Sequence, residues 1–393
     1  MQFAQRMDGI TGSAIREIFA LLARPGMISF AGGNPSPATF PAEDVAEITA
    51  RLMAEAGGTV LQYGETAGWP ALREQVLAFV QNKGVPASYE DLLILTGSTQ
   101  GIELAAKIFL NPGDVVLCES PTFLGALQTF RTYKGVPVGV RSDDSGMCMD
   151  DLEEKLQATR AKLIYTIPTF QNPSGCTLPA ARRARMVELA EKYGAVILED
   201  DPYGDLRFAG EDQPKVRSFD PAGGTVIYLG SFSKIISPGL RVGFAVAAPE
   251  VRAKMIVAKQ GIDTHTSNLS QAIVAEYMKA GKLPAHIRQC CELYAAQLAA
   301  MAAAAEAHFP SSARFVRPLG GIFLWMTLPQ GADVDALFAR AVEHNVAFVP
   351  GKHFFPDLSG TNTLRLNYSM TDPATIKKGM QTLGGQVHEL VGQ

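Results

Sequence analysis

The stretch Tyr228-Leu-Gly-Ser-Phe-Ser-Lys234-Ile-Ile-Ser-Pro-Gly-Leu-Arg241-Val-Gly243 decides how the rest of the chain is read. A strand-like run over Thr225 to Leu229 ends in small hydroxylated residues, and a lysine follows, with Gly239 and an arginine close behind. A lysine amine forms a Schiff base only while part of it is unprotonated, so it needs a pocket that lowers its pKa. The hydroxyls of Ser231 and Ser233 and the guanidinium of Arg241 suit a dianionic phosphate beside that amine. Ser231-x-x-Lys234 also fits the serine–lysine pattern of penicillin-recognising enzymes. Those enzymes carry Ser-Asp-Asn or Tyr-x-Asn and Lys-Thr-Gly tripeptides, none of which occurs here. A plain solvated lysine needs neither the flanking serines nor the Pro-Gly-Leu-Arg that follows.

Three further segments share one layout, an apolar strand running into a polar loop. Ala195-Val-Ile-Leu-Glu-Asp200-Asp-Pro-Tyr203 reads as a strand buried on both faces of a parallel sheet. Its carboxylates fall at the C-terminal end, where open α/β sheets place their ligands. Leu163-Ile-Tyr-Thr-Ile-Pro168 leads into an Asn172-Pro173 turn whose amide offers two donors. Leu92-Leu-Ile-Leu passes through Thr96-Gly-Ser98-Thr99 into an apolar-periodic helix, whose first N–H groups and positive dipole end suit an anion. Taken singly, the last two are an ordinary Asn-Pro turn and a plain helix cap. Together with the lysine they specify pyridoxal 5′-phosphate. Asp200 keeps the ring nitrogen protonated, which the electron-sink chemistry requires, Tyr203 and Asn172 reach the ring O3′, and Ser98 and Thr99 face the phosphate opposite Arg241.

In this order the motifs resemble the fold-type I pyridoxal phosphate enzymes, and among them the class I/II aminotransferases; the resemblance covers nearly all 393 residues. Ser13-Ala-Ile-Arg16-Glu-Ile, Arg24-Pro-Gly-Met-Ile-Ser-Phe-Ala-Gly-Gly33 and Glu199-Asp-Asp-Pro-Tyr203 are similar to the 2-aminoadipate/kynurenine aminotransferase branch. The resemblance implies that Lys234 carries the cofactor and acts with Asp200 and Tyr203 in catalysis. It implies that Arg365, in Leu364-Arg-Leu-Asn-Tyr368, pairs with the substrate α-carboxylate, with Gly33 and Asn172 beside it. Arg16 would take a distal carboxylate, and Tyr63 would reach the phosphate of a second subunit, which makes the protein a homodimer. Two positions depart from the pattern. Thr99 stands where this branch often has glutamine, and Phe123 replaces the tyrosine usual over the cofactor ring, so that a ring can still stack there without a hydroxyl. The reaction implied is two-stage transfer of an amino group from an L-amino acid to a 2-oxo acid, 2-oxoglutarate by resemblance. The rivals are a lyase on the same scaffold, a cofactor-sensing regulator and a non-catalytic binding module; motifs beginning within the first hundred residues leave no room for a winged helix ahead of them.

Composition agrees. A net charge of −4 and a pI near 5.9 argue against a nucleic-acid surface. Five cysteines without ligand spacing fit a reducing, cytoplasmic compartment, and six histidines form no metal cluster. The first residues lack the apolar core of a signal peptide, and the alanine-rich stretch from Tyr294 to Ala305 favours helix but is too short to span a bilayer. Alternating strands and helices, with helices expected near Leu124 to Tyr133 and Ala180 to Tyr193, predict an α/β fold: a large cofactor domain over 46–282 with a mixed, mostly parallel sheet between helices. A smaller α+β domain combines 1–45 with 283–393, beginning with a turn at Gly281 to Pro284 and a helix from Ile287 to Ala307. Strands near Phe315 and from Ile322 to Met326 follow, then a helix from Val334 to Glu343.

Overall fold

The computed structural model of the protein describes residues 3–8, 10 and 26–392. An eight-stranded sheet runs in the order Leu92–Leu95, Gly243–Val246, Val226–Ser231, Val196–Asp201, Leu163–Thr166, Val115–Ser120, Val136–Asp143, Gly146–Met147. Pairing is parallel across the centre, from Val226–Ser231 to Val136–Asp143. The strand Gly243–Val246 is antiparallel to both its neighbours, and the short Gly146–Met147 strand is antiparallel at the far edge. The sheet is therefore mixed and mostly parallel, as expected for fold type I.

Side chains alternate between the faces of a strand, and both faces here are apolar. Leu117, Ile164, Ile197 and Val226 point into one core with Leu152 and Leu156 of the helix Met149–Thr159 and Met186 and Leu189 of the helix Ala180–Tyr193. Their sequence neighbours Val116, Leu163, Leu198 and Ile227 point the other way, into the core shared with Ile102 and Ala105 of the helix Ser98–Phe109 and Phe130 of the helix Leu124–Thr132. That double burial explains why the strands read as unbroken apolar runs rather than alternating ones.

A second, antiparallel sheet pairs Arg314–Phe315, Phe323–Thr327, Thr363–Asn367 and Val349–Pro350 in that order. The helix Leu283–His308 starts four residues earlier than the periodicity predicts, because Pro284 sits in its first turn, where proline is favoured. It packs against the C-terminal helix Pro373–Val391. A Cβ on Gly384 would lie 2.3 Å from the His308 carbonyl oxygen, so the close approach of those helices requires glycine there.

The segment after Gly26 runs along the smaller sheet before reaching Lys234 beside the large one. Ile28–Ser29 pairs in parallel with Val346–Ala347. Phe30 N then donates to Ala347 O, and Phe30 O accepts from Asn367 N, both at 2.7 Å. This places the backbone of 31–34 over the C-terminal edge of the large sheet, where the strand ends converge.

Candidate active site

The C-terminal ends of the central strands open onto a cavity of about 330 Å³. Its lining includes Gly33, Ser98, Thr99, Phe123, Asn172, Asp200, Tyr203, Ser231, Ser233, Lys234, Arg241 and Arg365, so twelve separately predicted residues meet in one place. Tyr63 does not join them: it is 82% exposed on a surface loop, edge-on to the His265 ring at 5.9 Å. Arg16 lies outside the described residues.

Lys234 follows the end of the strand Val226–Ser231, and its Nζ donates to the Gly33 carbonyl. Burial pulls its pKa down to about 8, and the nearby Arg365 and Arg241 guanidiniums push the same way. A sizeable fraction of free amine is therefore present near neutral pH, which nucleophilic and base chemistry both demand.

Asp200 is the last residue but one of the neighbouring strand Val196–Asp201 and is buried. Its Oδ2 accepts from the Tyr165 hydroxyl at 2.9 Å, while Oδ1 has no partner. Burial, helped by the charge of Asp201, raises its pKa to about 7. Asp201 itself points elsewhere, to Lys215 at 2.7 Å and the Tyr228 hydroxyl at 2.8 Å, and that pairing holds it down to about 2.

Arg365 lies on the strand Thr363–Asn367, between Trp325 and Val349. Its two terminal nitrogens donate to Asn172 Oδ1 at 2.9 Å and to the Ala31 carbonyl at 2.8 Å, while Nε is buried without a partner. The guanidinium stacks over the Phe323 ring at 4.1 Å and the Phe354 ring at 4.9 Å. Burial lowers its pKa to about 10, which leaves it fully charged at neutral pH. The bond from Arg365 also orients the Asn172 amide: its nitrogen is turned to the Tyr203 hydroxyl at 3.4 Å. That hydroxyl accepts from Asn172 and keeps its own proton for another oxygen.

The remaining wall is built for an anion. Gly97, with φ +81°, caps the helix Ser98–Phe109, whose first turn presents Ser98 and Thr99. Opposite stand the buried Ser231 and Ser233, and Arg241, whose guanidinium crosses directly over Gly97. A Cβ at Gly97 would meet Arg241 Nη2 at 2.4 Å, and one at Gly243 would sit 2.9 Å from the backbone of Gly97 and Ser98. Phe123 folds back over the glycine at 125, whose Cβ would fall 2.5 Å from its ring.

Sequence reading missed Tyr165, Asn34, Ile167, Pro202 and Pro238. Tyr165 carried a faint signal, as a polar-tipped residue inside an apolar strand whose hydroxyl needs a partner when buried. Which carboxylate it would meet depends on strand register.

The residues present fit pyridoxal 5′-phosphate. A raised, half-partnered carboxylate suits a protonated ring nitrogen, a depressed lysine suits a carbonyl, and a helix N-terminus crossed by an arginine suits a phosphate. The family model described as aminotransferase class I and II matches residues 25–383. A 2-aminoadipate transaminase of Thermus thermophilus is 42% identical over 97% of this chain and 95% of its own. Aromatic-amino-acid aminotransferase 1 of Thermococcus litoralis is 40% identical over 98% of this chain and 94% of its own. The crystal structure of Pyrococcus horikoshii kynurenine aminotransferase, in complex with PMP, superposes with a TM-score of 0.95 at 38% identity, covering 98% of this chain and 97% of that one. Motifs, cavity and kinship agree: the chain belongs to the class I and II aminotransferase family and is a fold-type I, pyridoxal 5′-phosphate-dependent aminotransferase of the 2-aminoadipate/kynurenine branch.

Proposed function

We propose that the enzyme moves the amino group of 2-aminoadipate or an aromatic L-amino acid to 2-oxoglutarate in a ping-pong cycle. The observation that carries this reading is Arg365: a buried, charged guanidinium with one unpartnered N–H, in the same cavity as Lys234. Every 2-amino and 2-oxo acid shares the carboxylate that a planar guanidinium fork binds. The donor classes follow the relatives, which are named for 2-aminoadipate and for aromatic amino acids.

When bound, pyridoxal phosphate supplies the carbonyl that takes up the amino group and a ring that withdraws electrons from the substrate α-carbon. The chain's residues do the rest. The Lys234 amine would serve as the base that takes the substrate α-proton and holds it for return. The Asp200 carboxylate would hold the ring N–H, and Asn172 and Tyr203 would donate to the ring O3′. Ser98, Thr99, Ser231, Ser233 and Arg241 would hold the phosphate, Phe123 would stack on the ring, and Gly33 would shape the substrate wall. Arg16 pairs with a distal carboxylate, so Arg16→Ala raises the KM for 2-oxoglutarate roughly tenfold or more and leaves the half-reaction with an aromatic donor unchanged.

Exposed Tyr63 supports a two-fold dimer in which each chain lends this tyrosine to the other's phosphate. The large sheet and its helices form one domain over 46–282, and 1–45 with 283–393 form the other. All five cysteines are free thiols, which supports a cytoplasmic setting; among the described residues no helix is long and apolar enough to cross a membrane. A screen of 2-aminoadipate, kynurenine, aromatic and branched-chain donors against 2-oxoglutarate, following glutamate formation, tests the reading. Failure of both acidic and aromatic donors would reject it, and release of pyruvate and ammonia instead would identify a lyase.

A further inference from the structure

Thr96, Gln100, Lys259 and Asp263 do not line the cavity, and the reaction described above makes no use of them. Lys259 is fully buried, a state lysine adopts only where partners meet its charge. Its Nζ lies 2.6 Å from Gln100 Oε1, 2.9 Å from each carboxylate oxygen of Asp263 and 3.1 Å from Thr266 Oγ1. Asp263 Oδ2 also accepts from Thr96 Oγ1 at 2.6 Å and from Gln100 Nε2 at 2.8 Å. Thr96 N donates to Gln100 Oε1 at 2.9 Å, and Thr96 O accepts from Arg241 at 3.3 Å. Every polar atom of Thr96 and both ends of the Gln100 amide are thereby held, and these two residues bracket Gly97, Ser98 and Thr99. Lys259 is buried while its partner Asp263 stays partly exposed, and the pair's bonds run to Thr96 and Gln100 on either side of the turn, which points to a positional role.

We propose that Lys259 and Asp263 are positioning residues for the cofactor phosphate, clamping Thr96 and Gln100 so that the turn at Ser98 and Thr99 is set before the phosphate arrives. Such preorganisation saves the ordering cost at binding. The same segment also fastens the Tyr63 loop. His265 Nε2 accepts from Gly64 N at 3.1 Å, Asn268 Nδ2 donates to Gln62 O at 2.8 Å, and Gln271 Oε1 accepts from Trp69 N at 2.7 Å. One stretch of chain, 259–271, therefore sets both the phosphate turn and the loop that carries the tyrosine.

This inference rests on the assignment of the phosphate to Ser98, Thr99, Ser231, Ser233 and Arg241. Dissociation constants of the full-length protein are to be measured for pyridoxal phosphate and for pyridoxal, which lacks the phosphate, in the wild type, Lys259→Met, Asp263→Asn and Arg241→Ala. Lys259→Met and Asp263→Asn should each weaken pyridoxal phosphate roughly tenfold or more while pyridoxal stays within about twofold. The phosphorus resonance of the loaded variants should shift as well, a readout independent of turnover. Thr96→Val deletes the hydroxyl links to Asp263 and Thr266 while leaving both charges in place, and carries the same test if a charge-removing variant fails to fold. If Arg241→Ala loses the preference for pyridoxal phosphate while the clamp variants keep it, the phosphate assignment stands and the clamp is overturned. If Arg241→Ala keeps the preference, both fall. Equal weakening of the two ligands, or tighter phosphate binding in Asp263→Asn, also overturns the clamp, since the first is general loss of structure and the second a bare charge effect.

Discussion

Lys234 and Asp200 carry opposite pKa shifts from the same cause, burial, and each shift has a measurable consequence. With the amine lowered to about 8, acylation of Lys234 in cofactor-free protein should rise with pH through that value rather than through the ordinary lysine range. Arg365→Leu removes a neighbouring cation, so the midpoint should move upward; mass-spectrometric labelling across a pH series reads it. An unchanged midpoint would mean that the two groups do not interact. Asp200 is raised to about 7 from an ordinary value of 3.8. Between those values the folded chain holds a proton that the unfolded chain has released, so this group's contribution to stability falls as pH rises. In cofactor-free Asp200→Asn, the drop in Tm from about pH 5 to about pH 8 should be shallower than in the wild type by a few °C. A parallel pH profile in calorimetry would show that Asp200 titrates normally.

The turn at Gly97 to Thr99, the proposed phosphate site, is an assembly of elements more than a cluster of side chains. Strand Gly243–Val246 runs antiparallel beside Leu92–Leu95, and this brings Gly243 under the backbone of Gly97 and Ser98. Gly243→Ala would put a Cβ 2.9 Å from that backbone, and overpacking of this kind typically costs about 1–3 kcal/mol. Backbone cannot swing aside as a flexible side chain can, so the turn must move off the sheet. The expected outcome is faster loss of cofactor on dialysis with the fold retained by circular dichroism. Retention equal to the wild type would mean that the turn tolerates the displacement. Apart from this strand, the elements around the turn were legible from sequence, because an apolar run ending in hydroxyls and glycine before a periodic helix is a local pattern. The antiparallel strand escaped notice: Gly-Phe-Ala-Val is short, and nothing local states its direction.

At the scale of the whole molecule, each complete site is proposed to need Lys234 from one chain and Tyr63 from another. Lys234→Ala and Tyr63→Ala should each be nearly inactive alone. Mixed and allowed to exchange, they should recover about a quarter of wild-type activity, since random pairing makes half the dimers hybrid with one intact site each. No recovery despite demonstrated exchange would rule out the shared site. Lys234, Asp200, Asn172 and Ser98 were readable in advance because each sits at or just beyond the end of a strand, and strand period and turn chemistry are written over a few neighbouring residues. Sequence by itself therefore determined the α/β class, the aminotransferase family and its cofactor, and it picked out Lys234, Asp200 and the Ser98 turn, which meet in one cavity. Tertiary structure alone decided that Arg365 bonds Asn172 and Ala31, that Tyr165 occupies one oxygen of Asp200, and that Asp263, bonded to Lys259, also bonds Thr96. Those partners lie far apart in the chain and meet through strand register and helix packing, which depend on the burial of the whole core and not on any local pattern.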